Sequence, residues 1–282
     1  MNIVTNGLPT VSDNLDSRVS QVGFAGSLYY FDPSNWSTVA EGIERVLLLG
    51  AGSPVGQHAV QLLRSCEIEI RAVTCAESNL PSLRDSSADS VVVRNLGDST
   101  ETGVACSGCD AVISVLGAKN TLRDMLTRRH VVEGGTSTVV DSAVAEDVDQ
   151  FVMLSANGVG DSRSNLSLGM RVTRSPLLRA KQRAEQHLRD AALSHTIIRP
   201  GRLTDEPPTD DLFIGEGGDT VSGTIPRASA ARLLVSALWT PEATNRTFEV
   251  VSRDGLRGRI SNITRFDWRL PVGDGEQTLP RS

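Results

Sequence analysis

Four consecutive apolar residues, Val46, Leu47, Leu48 and Leu49, stand out from a polar surround. A run without alternation is what a strand buried on both faces of a parallel sheet requires. Apolar positions at helical spacing follow over 55–63, so strand, turn and helix succeed one another. The alternation then recurs. Strands are expected over 68–74 (IEIRAVT), 89–94 (DSVVVR), 111–116 (AVISVL), 151–155 (FVMLS), 195–199 (HTIIR) and 247–251. Helices are expected over 98–108, 122–143 with an interruption at Gly134-Gly135, 177–192 and 228–239. Asp98-Ser-Thr-Glu101 has the spacing of a capping box. Lys181 and Glu185, four apart, have that of a surface ion pair. Segment 156–175 reads as a polar loop, and Pro200-Gly201 ends the sixth strand. Such alternation gives an α/β fold with a doubly wound parallel sheet. Ligands of these sheets lie beyond the carboxyl ends of the strands. The loops after Leu49, Thr74, Arg94, Leu116, Ser155 and Arg199 should therefore surround one crevice.

The pattern divides the chain into an arm (1–44), a nucleotide-type domain with its substrate crevice (45–252) and a tail (253–282). The arm shows no sustained period, yet it holds Phe24, Tyr29, Tyr30, Phe31 and Trp36 in a chain with 4% aromatics. It is expected to dock through these rings on its own body or on a second subunit, making a homodimer.

Composition narrows the function classes. A chain of 282 residues can bury one sizeable core, and a net charge of −6 without a basic stripe argues against nucleic acid as a partner. No apolar run approaches the length of about 20 residues that a membrane span needs. No basic n-region with an apolar stretch opens the chain. A cytoplasmic protein acting on a small-molecule substrate is expected.

The turn after the first strand carries the chemistry. Gly50, Gly52 and Gly56 stand in a G-x-G-x-x-x-G spacing, one residue longer than the usual dinucleotide turn. Gly50 suits the tight turn, Gly52 the approach of a pyrophosphate, and Gly56 the close packing of helix on strand. Ser53 is placed to cap the helix and Pro54 to open it. The helix N-terminus would then offer free N–H groups and its positive dipole end to a phosphate.

Only two lysines occur, Lys119 and Lys181, while arginine fills the other basic positions. A lysine kept against that bias points to a need for its compact, titratable ammonium. Lys119 follows the fourth strand and could meet a substrate anion. Ser155 could act at the end of the fifth strand. Arg202 and the acidic stretch 205–211 could shape a substrate pocket. Of the four cysteines, Cys66, Cys75, Cys106 and Cys109, the last two form a C-x-x-C. With no histidine close in sequence, that pair reads as two ordinary small residues.

The ordered pieces VLLLGAGSPVG, IRAVTC, VVVRNLGD, GCDAVISVLGA, FVMLSANGVGD, SPLLRAKQRAEQHL, HTIIRPGRLTDEP, IPRASAARLLVSAL and TFEVVS span about 45–252. Together they resemble the atypical short-chain dehydrogenase/reductases, in the NmrA-like or NAD(P)H-binding branch that includes flavin and biliverdin reductases. The resemblance implies an NAD(P)-binding Rossmann fold. It places Gly50, Ala51, Gly52, Ser53, Pro54, Val55 and Gly56 at the pyrophosphate, with Ser53 where the family's turn has its middle glycine. Asn95 and Leu96 fall at the adenine, Asn95 replacing an acid. Leu116, Gly117 and Lys181 fall at the nicotinamide ribose, and Pro200 follows in the RPG after the sixth strand. Cys75 occupies the position that selects between cofactors and is neither acid nor arginine; Ser78 and Arg84 lie nearby. The family's leaning favours NADP(H) over NAD(H).

The family's fuller catalytic pattern has a tyrosine four residues before the lysine, and that position is Leu177. Tyr29 and Tyr30 are the only tyrosines in the chain. The expected activity is therefore reduction of a small or aromatic organic substrate without a tyrosine acid, with Lys181, Ser155 and Lys119 as the catalytic candidates. Flavins and quinones, which take protons from water, suit such a site. The rivals are a non-catalytic NAD(P)H-sensing regulator and a non-redox cyclase or epimerase that keeps the cofactor pocket.

Overall fold

The structure, a computed structural model, describes residues 42–74, 88–93, 95–117, 131–162, 175–258, 260–264 and 268–270. The aromatics of the arm, with Cys75, Ser78, Arg84 and Lys119, lie outside these residues.

The strands are β1 (Arg45–Leu49), β2 (Glu69–Thr74), β3 (Ser90–Val93), β4 (Ala111–Ser114), β5 (Gln150–Leu154), β6 (Ser194–Pro200), β7 (Arg202–Thr204), β8 (Leu212–Glu216), β9 (Thr224–Pro226) and β10 (Arg246–Ser252). Eight form one sheet in the order β3-β2-β1-β4-β5-β6-β10-β8, parallel throughout except where β8 runs antiparallel to β10. The chain winds outward from β1 to β3 and then restarts at β4 on the other side of β1. The switch point therefore lies between Leu49 and Ser114, which are in register.

Helices cover both faces: α1 (Pro54–Ser65), α2 (Ser99–Cys106), α3 (Thr136–Ala145), α4 (Ser175–Asp190) and α5 (Arg227–Ser236). Val46 and Leu48 pack with Val55, Ala59 and Leu63 of α1 and with Leu233 and Leu234 of α5. Leu47 and Leu49 pack with Cys106 of α2, Val140 and Ala143 of α3, and Leu188 of α4. Both faces of β1 are dry, which is the physical origin of its unbroken apolar run.

Several expectations shift. The break at Gly134-Gly135 is a π-helical turn, Val131–Gly135, leading into α3. Asp98 caps α2 by accepting from the amides of Thr100 (2.9 Å) and Glu101 (3.1 Å). The other arm of the capping box is diverted. The Asp98 amide donates to the Asn95 carbonyl, so the Glu101 carboxylate takes the Asn95 amide at 2.8 Å. The acidic stretch 205–211 is a loop, as expected, but it joins two strands the pattern did not show, β7 and β8, and β7 pairs with β9 in a second, two-stranded sheet. Strands of three residues are too short to show a period. There the backbones of Gly201, Gly223 and Gly255 stack. A Cβ on Gly201 would lie 2.6 Å from the Gly223 carbonyl oxygen, and one on Gly223 would lie 2.0 Å from that of Gly255. The acids of this stretch are paired, Asp205 with Arg227, Asp210 with Arg232 and Asp211 with Arg253.

The chain does not leave the domain at Ser252. Leu256 bridges to Gly223 and Ile263 to Gly215. Trp268 stands edge-on to Phe248, with ring centroids 5.4 Å apart, and is buried with Leu270 in the α1–α5 core. Trp268→Ala should accordingly cost about 3–5 kcal/mol in urea unfolding, as for a core aromatic. A change within about 0.5 kcal/mol, the range of ordinary surface substitutions, would show instead that this segment is a loose tail.

Candidate cofactor and active site

In the turn between β1 and α1, Gly50, Gly56, Ser53 and Pro54 have the local geometry expected of them. Gly50 has φ +82°, where a side chain is strained, and a Cβ there would sit 3.1 Å from Val115. A Cβ on Gly56 would sit 2.3 Å from the Gly50 carbonyl oxygen and 2.7 Å from Ala51 Cα, so helix and turn touch backbone to backbone. Ser53 is the N-cap, with φ −80° and ψ 157°, and its Oγ accepts from the Gly56 amide at 3.1 Å. That extended conformation does not need glycine, which explains why serine is tolerated at the middle position of the turn. Pro54 opens α1. Among the described residues the amides of Ala51, Gly52 and Val55 have no hydrogen-bond acceptor. Partnerless donors at the positive end of a helix fit a dinucleotide pyrophosphate.

Asn95 is exposed, its Oδ1 accepting from the Gly97 amide at 3.1 Å. Leu96, expected beside an adenine, sends its apolar side chain into the core with Leu47, Leu49 and Val73. Leu116 is half-buried, and Gly117 is exposed with open space where a Cβ would be. Pro200 is buried at the end of β6, and its carbonyl accepts from the Asn157 amide at 2.9 Å. Asn157 in turn donates through Nδ2 to the Val221 carbonyl at 2.6 Å. This ties the loop after β5 to the turn before β9.

Lys181 is 5% exposed, and its Nζ donates to the carbonyls of Leu154 (2.8 Å) and Leu116 (3.2 Å). It thus sits across the carboxyl ends of β4 and β5, beside the switch point. Burial pushes its ammonium down to about 8, partly opposed by the charge of Glu185. The surface pair suggested by the four-residue spacing is not formed. Glu185 is fully buried and accepts from Arg199 Nε (3.0 Å) and Nη2 (2.7 Å), from Arg189 Nη2 (2.8 Å) and from Ser155 Oγ. Arg199 reaches on through Nη1 to Asp161 at 2.6 Å. Burial alone would raise the Glu185 carboxyl, but the Arg199 guanidinium, the Ser155 hydroxyl and the Arg189 charge together outweigh it and the net shift is downward. The Ser155 proton is directed at that carboxylate, so in this arrangement the hydroxyl does not face a substrate as a donor. Leu177, at the position of the family's tyrosine, is half-buried.

Cys106 and Cys109 are buried free thiols, Cys106 pushed up by burial to about 12 and Cys109 also raised. Thiols so protonated are poor nucleophiles and ligands, and no metal-binding cluster occurs among the described residues.

Sequence reasoning placed Glu185 on the surface beside Lys181 and passed over Arg199, Asp161 and Glu249. Glu249 is fully buried on β10 and accepts from Thr220 N (2.6 Å) and Oγ1 (2.8 Å) and from the Asp219 amide (3.3 Å), pinning the turn after β8 to the sheet. A signal was present, since Arg199 in HTIIR and Glu249 in TFEVV are charges within strands otherwise fit for burial.

Arg199→Met would leave the buried Glu185 carboxylate with Arg189 as its one hydrogen-bonded cation among the described residues, a loss of about 3–5 kcal/mol at neutral pH. Because the carboxyl value is lowered in the fold, its contribution is complete above the ordinary value of about 4.3. It is lost as the pH falls through the native value. Urea titrations should therefore show the gap between wild type and variant narrowing below about pH 4, where such carboxyls protonate. A gap that stays constant from neutral pH into that range would contradict the assigned pairing.

The sequence profile of the NAD(P)H-binding family matches residues 50–241. The uncharacterized sugar epimerase YhfK of Bacillus subtilis is 29% identical over 211 residues, covering 74% of this chain and 95% of its own. Sanguinarine reductase of Eschscholzia californica is 24% identical over 251 residues, covering 74% of this chain and 89% of its own. The structure of ChuY, an anaerobilin reductase from Escherichia coli O157:H7, superposes with a TM-score of 0.66 at 22% identity, covering 76% of this chain and 100% of its own. With a match that runs from the glycine turn to the 3₁₀ turn after α5, this protein belongs to the NAD(P)H-binding family.

Proposed function

We propose that the protein is an NAD(P)H-dependent oxidoreductase that reduces a small or aromatic organic substrate without a tyrosine acid. The observation that carries this is Lys181, buried on the carbonyls of Leu116 and Leu154 beside a glycine turn with partnerless amides. The amides of Ala51, Gly52 and Val55 hold the pyrophosphate, and Asn95 lies at the adenine. Lys181 has three donors, of which two fix it to the protein, and the third serves a nicotinamide ribose hydroxyl between Leu116, Gly117 and Pro200. A bound reduced nicotinamide supplies hydride. An ammonium near 8 holds a proton at neutral pH and releases it readily, which is the range in which a general acid works best. With leucine at 177, acceptors that take protons from water, flavins and quinones, fit the site. The reductase names of the Eschscholzia californica and Escherichia coli relatives support this chemistry. NADP(H) is the proposed cofactor, and the arm before Arg45 the proposed dimer contact.

Leu177 also favours a second reading, a sensor that binds the cofactor and performs no chemistry. The name of the Bacillus subtilis relative keeps a non-redox epimerase in view. Oxidation of NADPH on addition of a flavin or quinone separates the readings, because only the reductase consumes cofactor.

Two binding outcomes test the site itself. Gly52→Val should abolish NADPH binding in calorimetry, since its side chain takes the space of the pyrophosphate; unchanged affinity would remove the foundation of the proposal. The preference for NADPH over NADH should remain below about a thousandfold, roughly 4 kcal/mol, because Cys75 cannot clamp a 2′-phosphate as arginine does. A larger ratio would mean that an arginine from elsewhere reaches it.

A further inference from the structure

Lys181 has to stay at the ends of β4 and β5, yet it is carried by α4, whose own hydrogen bonds leave the helix free to slide or roll. Beyond the core packing of Ala184 and Leu188, which fixes the buried face of α4, what ties the helix to the strand ends is one turn further along. Glu185 receives Ser155 from the end of β5 and, in a two-pronged contact of 3.0 and 2.7 Å, Arg199 from β6. Arg199 is itself fixed from the other side by Asp161 in the loop after β5, at 2.6 Å. The carboxylate is fully buried and Arg199 is 3% exposed, so neither can exchange its partners for water.

Resting on the oxidoreductase reading above, we propose that Glu185 is the positioning residue of this site, clamping α4 to β5 and β6 through Ser155 and Arg199 so that Lys181 stays on the carbonyls of Leu116 and Leu154. It touches neither cofactor nor substrate; it acts through the lysine. Its charge acts there too. The charged and titratable groups on the elements packed around Lys181, among the described residues, include Arg179, Glu185, His187, Arg189 and Asp190 on α4, His195 and Arg199 on β6, Asp161 after β5, Asp141 on α3 beside His187, and the half-exposed Glu133–Arg183 pair between the π-turn and α4. Of these, Glu185 is the one whose charge acts appreciably on the ammonium, and it opposes the downward push of burial. Removing it lowers the pH at which Lys181 loses its proton.

The experiment follows NADPH affinity by calorimetry between neutral pH and about one unit above the lysine's titration, in wild type, Glu185→Gln and Ser155→Ala. Wild type should bind more weakly on the alkaline side, with a midpoint near 8. In Glu185→Gln the midpoint should move to lower pH and neutral affinity should fall about tenfold or more, the scale of a misplaced contact. Ser155→Ala keeps both buried charges, so its midpoint should stay with that of wild type while affinity falls severalfold. A Glu185→Gln protein with a lowered Tm but the wild-type midpoint and affinity would reduce Glu185 to a structural residue and overturn the proposal. If that variant does not fold, unchanged affinity in Ser155→Ala overturns it instead. A wild-type affinity that is flat across this range is a separate result. It removes the ribose role of Lys181, and the positioning role falls with it.

Discussion

The contact on which the rest depends is that of Gly56 with the backbone of Gly50 and Ala51, where any side chain would fall 2.3 Å from a carbonyl oxygen. Because that space is empty, the first turn of α1 lies directly on the end of β1. Ser53 can then cap the helix, and the amides of Ala51, Gly52 and Val55 have no acceptor among the described residues. The same placement lays α1 beside α5, so Val46 and Leu48 share a core with both helices. A dry core on one face and a turn of unsatisfied amides at the strand end, proposed above to hold a phosphate, are thus two results of one close approach.

A second constraint lies across the sheet. Glu185 and Arg199 are buried with Ser155, and Asp161 and half-buried Arg189 reach them from the solvent side, where an apolar layer would pack at lower desolvation cost. Such a pair adds little net stability, since removing two charges from water offsets most of their attraction. It does specify an arrangement, because every lone pair and guanidinium edge in use has one geometric solution. That arrangement joins α4, β5 and β6 at their crevice ends, within one helical turn of Lys181.

The fold was legible where the chain repeats a physical rule. β1 and α1 follow from an unbroken apolar run, spaced glycines and a cap, and each reappears where the pattern places it. The segment after β6 was not, because β7 and β9 hold three residues each and are held by stacked glycine backbones that no periodicity reports. Beyond β10, Trp268 packs on Phe248 through a contact that only the folded chain creates. At the site, four-residue spacing suggested that Lys181 and Glu185 pair on a surface. The tertiary structure instead buried both and gave each a different partner. Spacing along a helix says which residues share a face; it does not say what covers that face.

A dinucleotide on the β1–α1 turn with its ribose at Lys181, as proposed above, is read out by amide chemical shifts recorded during an NADPH titration. Saturating shifts are expected at Ala51, Gly52 and Val55 and at Gly117, with the far end of α1 near Ser65 unmoved. Binding that leaves those turn amides unshifted, or that concentrates its shifts elsewhere on the sheet, would contradict it.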